Sequence, residues 1–242
     1  MSSEMTQFIG ELLGTFILVL LGNGVVCSIA LNKTKAQNTG WLMVTLGWAV
    51  AVTIAVYASG FLCPAHLNPA VTISLAVIGS FPWAQVVPFI IAQMIGAMAA
   101  SVLLYLHFYP HFQETEDTGT VLGCFSTAPA IRHTWSNVFG EMLGTAVLMV
   151  GILAMGQNKL SDGMSPMIVG LIILTIGFSL GSTTGYAINP ARDLGPRLMH
   201  AILPLKHKGD SDWGYAWIPI VGPILGGIVG SVLYNMIIQL TM

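Results

Sequence analysis

Between Lys35 and Glu114 lie 78 residues without a single Asp, Glu, Lys or Arg. No soluble domain can present a solvated surface over such a length, because roughly a quarter of the residues in an ordinary globule are charged. Here the charged share is 7% and the hydrophobic share 55% of 242 residues. Further charge-free runs cover 12–32, 142–158, 163–191 and 213–242. A helix needs about 20 predominantly apolar residues to cross the hydrocarbon core, so each run is long enough for at least most of a crossing. The net charge of -2 and the lack of a basic block leave nothing for nucleic acid to bind. Cys27, Cys63 and Cys124 have no CxxC spacing and are expected to be small buried hydrophobes. With Glu4 and Glu11 and no basic start, the amino terminus does not resemble a cleavable signal.

Six full spans are expected near 7–31, 41–60, 82–107, 135–157, 166–185 and 214–240. Two apolar segments too short to cross begin at Asn68 and Asn189, each with the tripeptide Asn-Pro-Ala. Asn is a favoured N-cap, Pro suits the first helical position, and Ala is the best helix former to follow. About ten residues then run before the pattern breaks at Gly79-Ser80 and near Pro204, roughly 15 Å of helix, or half a bilayer core. Irregular backbone at that depth must be enclosed by protein and line a cavity.

The chain also repeats itself. Phe8-Ile9-Gly10-Glu11-Leu12-Leu13-Gly14-Thr15 recurs as Val138-Phe139-Gly140-Glu141-Met142-Leu143-Gly144-Thr145, and Asn-Pro-Ala follows the second span of each half. Three full spans per half is an odd number, so the halves enter from opposite sides and the half-helices meet near the midplane. The expected fold is an all-α membrane protein: six transmembrane helices plus two re-entrant half-helices in an inverted repeat. It forms one domain over 1–242, with halves near 1–110 and 130–242 joined by an extramembrane loop near 108–134.

Chemistry concentrates at the two tripeptides. An N-cap Asn spends its side-chain oxygen on its own helix, leaving the NH2 of Asn68 and Asn189 to donate to a passing oxygen. The paired helix amino termini each present about half a positive charge, which opposes cations and protons. Arg192, one helical turn beyond Asn189, is costly inside an apolar stretch and is read as a pore residue. Glycines recur every fourth residue at Gly177, Gly181 and Gly185 and at Gly222, Gly226 and Gly230, a spacing that lets helix backbones approach closely.

Ala65-His66-Leu67-Asn68-Pro69-Ala70-Val71-Thr72 and Gly185-Tyr186-Ala187-Ile188-Asn189-Pro190-Ala191-Arg192-Asp193, with the paired Glu residues, resemble the major intrinsic protein family over essentially the whole chain. Asp193 after the Arg, Arg197, and Pro219-Ile220 are similar to the aquaglyceroporin (glycerol facilitator) pattern. The resemblance implies an aquaporin-like fold and a homotetramer with one pore per subunit in the plasma membrane, without cofactor or metal. It implies a narrowest constriction formed by Trp48, Gly177, Tyr186 and Arg192, where Gly177 leaves open a space that strict water channels fill with His. Tyr186 departs from the Phe of many glycerol channels. Taken alone, Trp48 would read as an interfacial anchor or a core aromatic. The resemblance further assigns Glu11 and Glu141 to supporting the re-entrant loops, and the carbonyls of Ala65, His66, Gly185, Tyr186 and Ala187 to a polar track. Asp193 is expected to bond loop backbone near the second half-helix.

The function implied is passive conduction of glycerol, other small uncharged solutes and water, excluding ions and protons. Two alternatives are a proton-coupled secondary transporter using Glu11 and Glu141, and a strict water pore. No nucleophile with a base and no metal-ligand cluster points to an enzyme. With the termini inside, as the resemblance implies, Lys33, Lys35, Arg132, Lys206 and Lys208 fall outside and only Lys159 inside, the reverse of the usual bias.

Overall fold

The computed structural model describes residues 2–241. Ten helices follow in order among them: α1 (Ser3–Ala30), α2 (Trp41–Ser59), α3 (Pro69–Val77), α4 (Trp83–His107), α5 (Tyr109–Glu114), α6 (Thr118–Gly123), α7 (Thr134–Gly156), α8 (Ser165–Ser179), α9 (Pro190–Ile202) and α10 (Ile218–Thr241). Five of these, α1, α2, α4, α7 and α10, are long and apolar enough to cross a membrane unaided. The sixth, α8, is shorter than the expected 166–185: it has 15 residues and gives way to a 3-10 turn at Gly181–Thr183. At 1.5 Å per residue α8 spans about 22 Å, and the turn carries the chain onward. The last helix also starts later than expected, at Ile218, because 213–217 form turns.

The two halves repeat one packing scheme. Helix α1 lies against α2 and α4, and α7 lies against α8 and α10. The α7–α10 contact is glycine-mediated: a Cβ on Gly226 would sit 2.0 Å from the Met142 carbonyl oxygen, and one on Gly230 2.6 Å from that of Ala146. Gly96 provides the equivalent approach of α4 to α1, at 2.3 Å from the Leu12 carbonyl oxygen. The second glycine series behaves differently. Gly177 faces Thr45 and the Tyr186 ring, Gly181 faces that ring alone, and Gly185 lies in loop at φ +82°, so no helix–helix seam runs through the three. Contacts between α2 and α8 join the halves, and each half-helix also packs on the last long helix of the other half, α3 on α10 and α9 on α4.

Outward faces are apolar, with Leu42, Val50, Val87, Ile91, Leu171 and Leu233 exposed, which suits a hydrocarbon solvent and would be an aggregation hazard in water. The connection between the halves is not a plain loop. It folds into α5 and α6, whose Phe112 and Val121, with Phe125 just after α6, bury against Leu31 of the first loop and Leu104 of α4. Two cations of the loops are paired. Lys33 bonds Glu114 and holds its carboxyl below the usual range, while Arg132 bonds Asp212, which raises the guanidinium. All three cysteines are free and buried.

Candidate functional site

Both half-helices start where the capping chemistry requires. Asn68 is the N-cap of α3 and accepts from the Ala70 amide at 2.9 Å; Asn189 caps α9 and accepts from Ala191 at 3.0 Å and Arg192 at 3.3 Å. The remaining NH2 groups reach across the repeat. Asn68 Nδ2 donates to the Ile188 carbonyl at 2.8 Å, and Asn189 Nδ2 to that of Leu67 at 2.7 Å. The tips of the two half-helices are thereby clasped together. Each NH2 carries two hydrogens, so one per asparagine stays free for another acceptor.

The segments leading into the caps are extended and twisted. Ala65 and Leu67 have φ of 53° and 52°, and Gly185, Tyr186 and Ile188 have 82°, 37° and 42°. For residues other than Gly this region costs roughly 1–2 kcal/mol each, so outside bonds must hold it. They come from the two buried glutamates. Glu11 accepts from the amides of His66 and Leu67, both at 2.7 Å, and from Gln93 Nε2 at 2.7 Å. Glu141 accepts from the amides of Ala187 at 3.0 Å and Ile188 at 2.8 Å. In a trans peptide the N–H and the preceding C=O point oppositely. Drawing these amides toward the glutamates therefore turns the carbonyls of Ala65, His66, Tyr186 and Ala187 away from the glutamates, and all four residues line a cavity.

That cavity has a volume of about 440 Å³. Its walls bring together Trp48, Ala65, His66, Asn68, Tyr186, Ala187, Asn189 and Arg192. The lining also includes the apolar Leu18, Val52, Leu148, Ile152, Val169 and Ile173, together with Ser80, Met155 and Ser165. Gly177 and Gly185 are not part of the wall. Gly177 lies behind Tyr186, and a Cβ there would stand 3.1 Å from the tyrosine oxygen. Gly185 backs onto Thr127.

The Arg192 guanidinium carbon stands 4.3 Å from the centre of the Trp48 ring. No carboxylate or other acceptor bonds that guanidinium among the described residues, so its donors are available to a guest. Arg197 is the contrast. Fully buried, it bonds Asp193 through Nε at 2.9 Å and the carbonyls of Ser211 at 2.8 Å and Thr127 at 2.8 Å. Asp193 in turn accepts from the Thr127 amide and hydroxyl at 2.7 and 2.6 Å. One arginine of α9 lines the cavity; the other, five residues further along and paired, ties the half-helix to the loops at Thr127 and Ser211.

The family model for the major intrinsic protein matches residues 1–234. The chain belongs to the major intrinsic protein family. It is 54% identical over 231 residues to glycerol uptake facilitator protein 3 of Lactiplantibacillus plantarum, covering 96% of each chain. It is also 54% identical to the glycerol uptake facilitator protein of Bacillus subtilis, covering 96% of this chain and 84% of that one. The aquaglyceroporin from Plasmodium falciparum superposes with a TM-score of 0.87 at 32% identity, over 97% of both chains. As a member of this family the chain is an integral membrane channel protein and not an enzyme.

Sequence reasoning missed the apolar lining and the residues behind the aromatics. A Cβ on Gly22 would lie 2.3 Å from the Trp48 ring, and one on Gly181 2.4 Å from that of Tyr186. Gly22 gives no signal inside a charge-free run, and the every-fourth-residue spacing groups Gly181 with helix-packing glycines. Gln93, which bonds both Glu11 and the Thr72 hydroxyl, was likewise unmarked.

Proposed function

We propose that the protein is a passive channel that conducts glycerol, passes water and other small uncharged solutes, and excludes ions and protons. The observation that carries this reading is the mixed lining of the cavity: Asn68, Asn189 and Arg192 as donors and the cap-preceding loop residues share it with aliphatic side chains, and Arg192 lies over the Trp48 ring. Glycerol is mixed in the same way, with three hydroxyls and a C–H backbone. Its hydroxyls donate to the carbonyls of Ala65, His66, Tyr186 and Ala187 and accept from Arg192 and the asparagine NH2 groups. Its carbon edge slides along Trp48, Tyr186, Val52 and Val169. Relatives named as glycerol uptake facilitators support glycerol as the permeant.

An ion entering this space loses hydration that neutral carbonyls replace only in part. Cations also meet Arg192 and two helix amino termini. At the asparagines, a water oxygen that accepts from both sides has its hydrogens turned outward, which interrupts a proton-conducting chain. The glutamates that a proton-coupled carrier would need are occupied as loop supports. Homotetrameric assembly, with one pore per subunit, is part of the proposal.

The test is stopped-flow light scattering on vesicles holding the purified protein. Glycerol flux rises linearly with its gradient and ignores an imposed proton gradient. Accumulation of glycerol against its gradient, or flux no faster than in protein-free vesicles, overturns the reading.

A further inference from the structure

The two aromatic walls of the cavity each rest on a glycine that does not itself line it. Behind Trp48 lies Gly22 of α1, where a Cβ would come within 2.3–2.5 Å of three ring carbons. Behind Tyr186 lies Gly181, where a Cβ would come within 2.4, 2.9 and 3.1 Å of Cδ1, Cγ and Cε1. Distances below 3.0 Å cannot be absorbed without movement, and these atoms belong to rigid rings. Neither glycine has the positive φ that would demand glycine for backbone reasons. Gly22 sits within a continuous helix, where alanine is the better helix former. Packing against the rings is what remains to account for both.

Tyr186 has little room to retreat. Its backbone is held on one side by the Glu141 bond to the Ala187 amide and on the other by the Gly185 amide bonded to the Gly181 carbonyl at 2.9 Å. Trp41 stands edge-on to the ring at 5.7 Å and is itself fixed by its bond to the Gly177 carbonyl at 3.1 Å. Both rings line the cavity that Arg192 also lines, with the guanidinium carbon 4.3 Å from the Trp48 ring centre.

We propose that Gly22 and Gly181 set the aperture by seating Trp48 and Tyr186, and so decide which solutes fit while touching none of them. They are positioning residues for solute selection, an assignment that rests on the glycerol-channel reading. A methyl group at either seat pushes its ring toward the lumen, and the wider permeant suffers first. Gly181→Ala and Gly22→Ala each lower glycerol flux per channel about tenfold, the factor that roughly 1.4 kcal/mol of added barrier produces, while water flux falls far less.

The experiment compares glycerol and water flux in vesicles for each alanine variant, alone and in a background with its ring removed. Gly181→Ala has no further effect once Tyr186→Ala is present, and Gly22→Ala none once Trp48→Ala is present, because the seat acts only through the ring. Equal loss of water and glycerol flux, or an effect that persists in the ring-truncated background, overturns the proposal. A seat variant that does not assemble alone regains assembly when its ring is truncated; failure to regain it also counts against the proposal. Wild-type protein in the same vesicles separates the two readings: no glycerol flux there removes both, whereas a failed seat leaves wild-type conduction intact.

Discussion

Replacing Glu141 by Gln changes one atom of the loop support and has a cost that can be worked out from its bonds. The carboxylate accepts from the amides of Ala187 and Ile188 at 3.0 and 2.8 Å in a fully buried position. A glutamine keeps one acceptor and turns an NH2 toward the second amide. One buried backbone donor then lacks a partner and the new NH2 opposes it, at about 1–3 kcal/mol for each unsatisfied group. Two such groups sum to about 2–6 kcal/mol, against roughly 1–2 kcal/mol that each left-handed residue, Tyr186 and Ile188, stores in its backbone. The support and the strain are of similar size, so the loop is expected to relax and to move the Tyr186 and Ala187 carbonyls from their proposed place along the lumen. Glu141→Gln should lower both the thermal midpoint in detergent and the glycerol flux, and Glu141→Ala, which orphans both amides, should lower them further. A Glu141→Gln channel with wild-type midpoint and flux would refute the idea that the glutamate holds the loop.

Tyr186→Phe should leave glycerol and water flux within about twofold of wild type. The tyrosine oxygen is buried without a partner, so its removal costs no hydrogen bond and can gain up to ~1 kcal/mol of stability; a large flux change in vesicles would place the hydroxyl in the permeation path. Arg197→Met leaves the buried Asp193 carboxylate without its cation and should cost about 3–5 kcal/mol, which Arg197→Met with Asp193→Asn partly recovers; a wild-type unfolding profile for the single variant would contradict this. The Glu114 carboxyl is held below its ordinary value by Lys33, so its folded state is favoured above the ordinary carboxylate pKa and that advantage is lost as the pH falls through the lowered one. Wild type and Lys33→Met should therefore differ in thermal midpoint at neutral pH, slightly because the pair is exposed, and converge in acid; a gap that widens in acid would show the sign to be wrong.

How much could be read before any coordinates follows from where the chain has few options. In lipid, a backbone that leaves a helix must find partners within the protein, so a helix start in mid-membrane needs a cap. Asn68 and Asn189 are those caps, and with the duplicated Glu-x-x-Gly-Thr they make the half-helices and the inverted repeat legible. Arg192 was legible for the opposite reason, since an unpaired charge in an apolar stretch is too costly to be incidental. The apolar lining was not. On helices apolar all round, nothing distinguishes Val52, which faces the lumen, from Val50, which faces lipid; only packing separates them. The short α8 was missed because Gly181 to Gly185 continues its charge-free run, and hydropathy carries no mark at the point where the chain turns. Helices α5 and α6 each have six residues, too few for a periodic pattern to stand out.

The same constraint that made the caps legible explains why a pore arises here at all. Two half-helices meeting in mid-membrane create extended segments on either side, each with amides and carbonyls that lipid cannot satisfy. The amides are taken by Glu11 and Glu141. Of the carbonyls, two are taken by the asparagines of the opposite half, at Leu67 and Ile188. Those of Ala65, His66, Tyr186 and Ala187 are turned from the glutamates, on residues that line the cavity. In the proposed channel, water or a polyol supplies their donor. On the proposed function, occupancy of the lumen by hydroxyl-bearing guests is thus part of how this backbone is satisfied, and successive carbonyls compete for each guest. If the proposed track is right, a fold that leaves four carbonyls inward at mid-membrane gains from admitting such molecules, and the closely spaced equivalents let them move on.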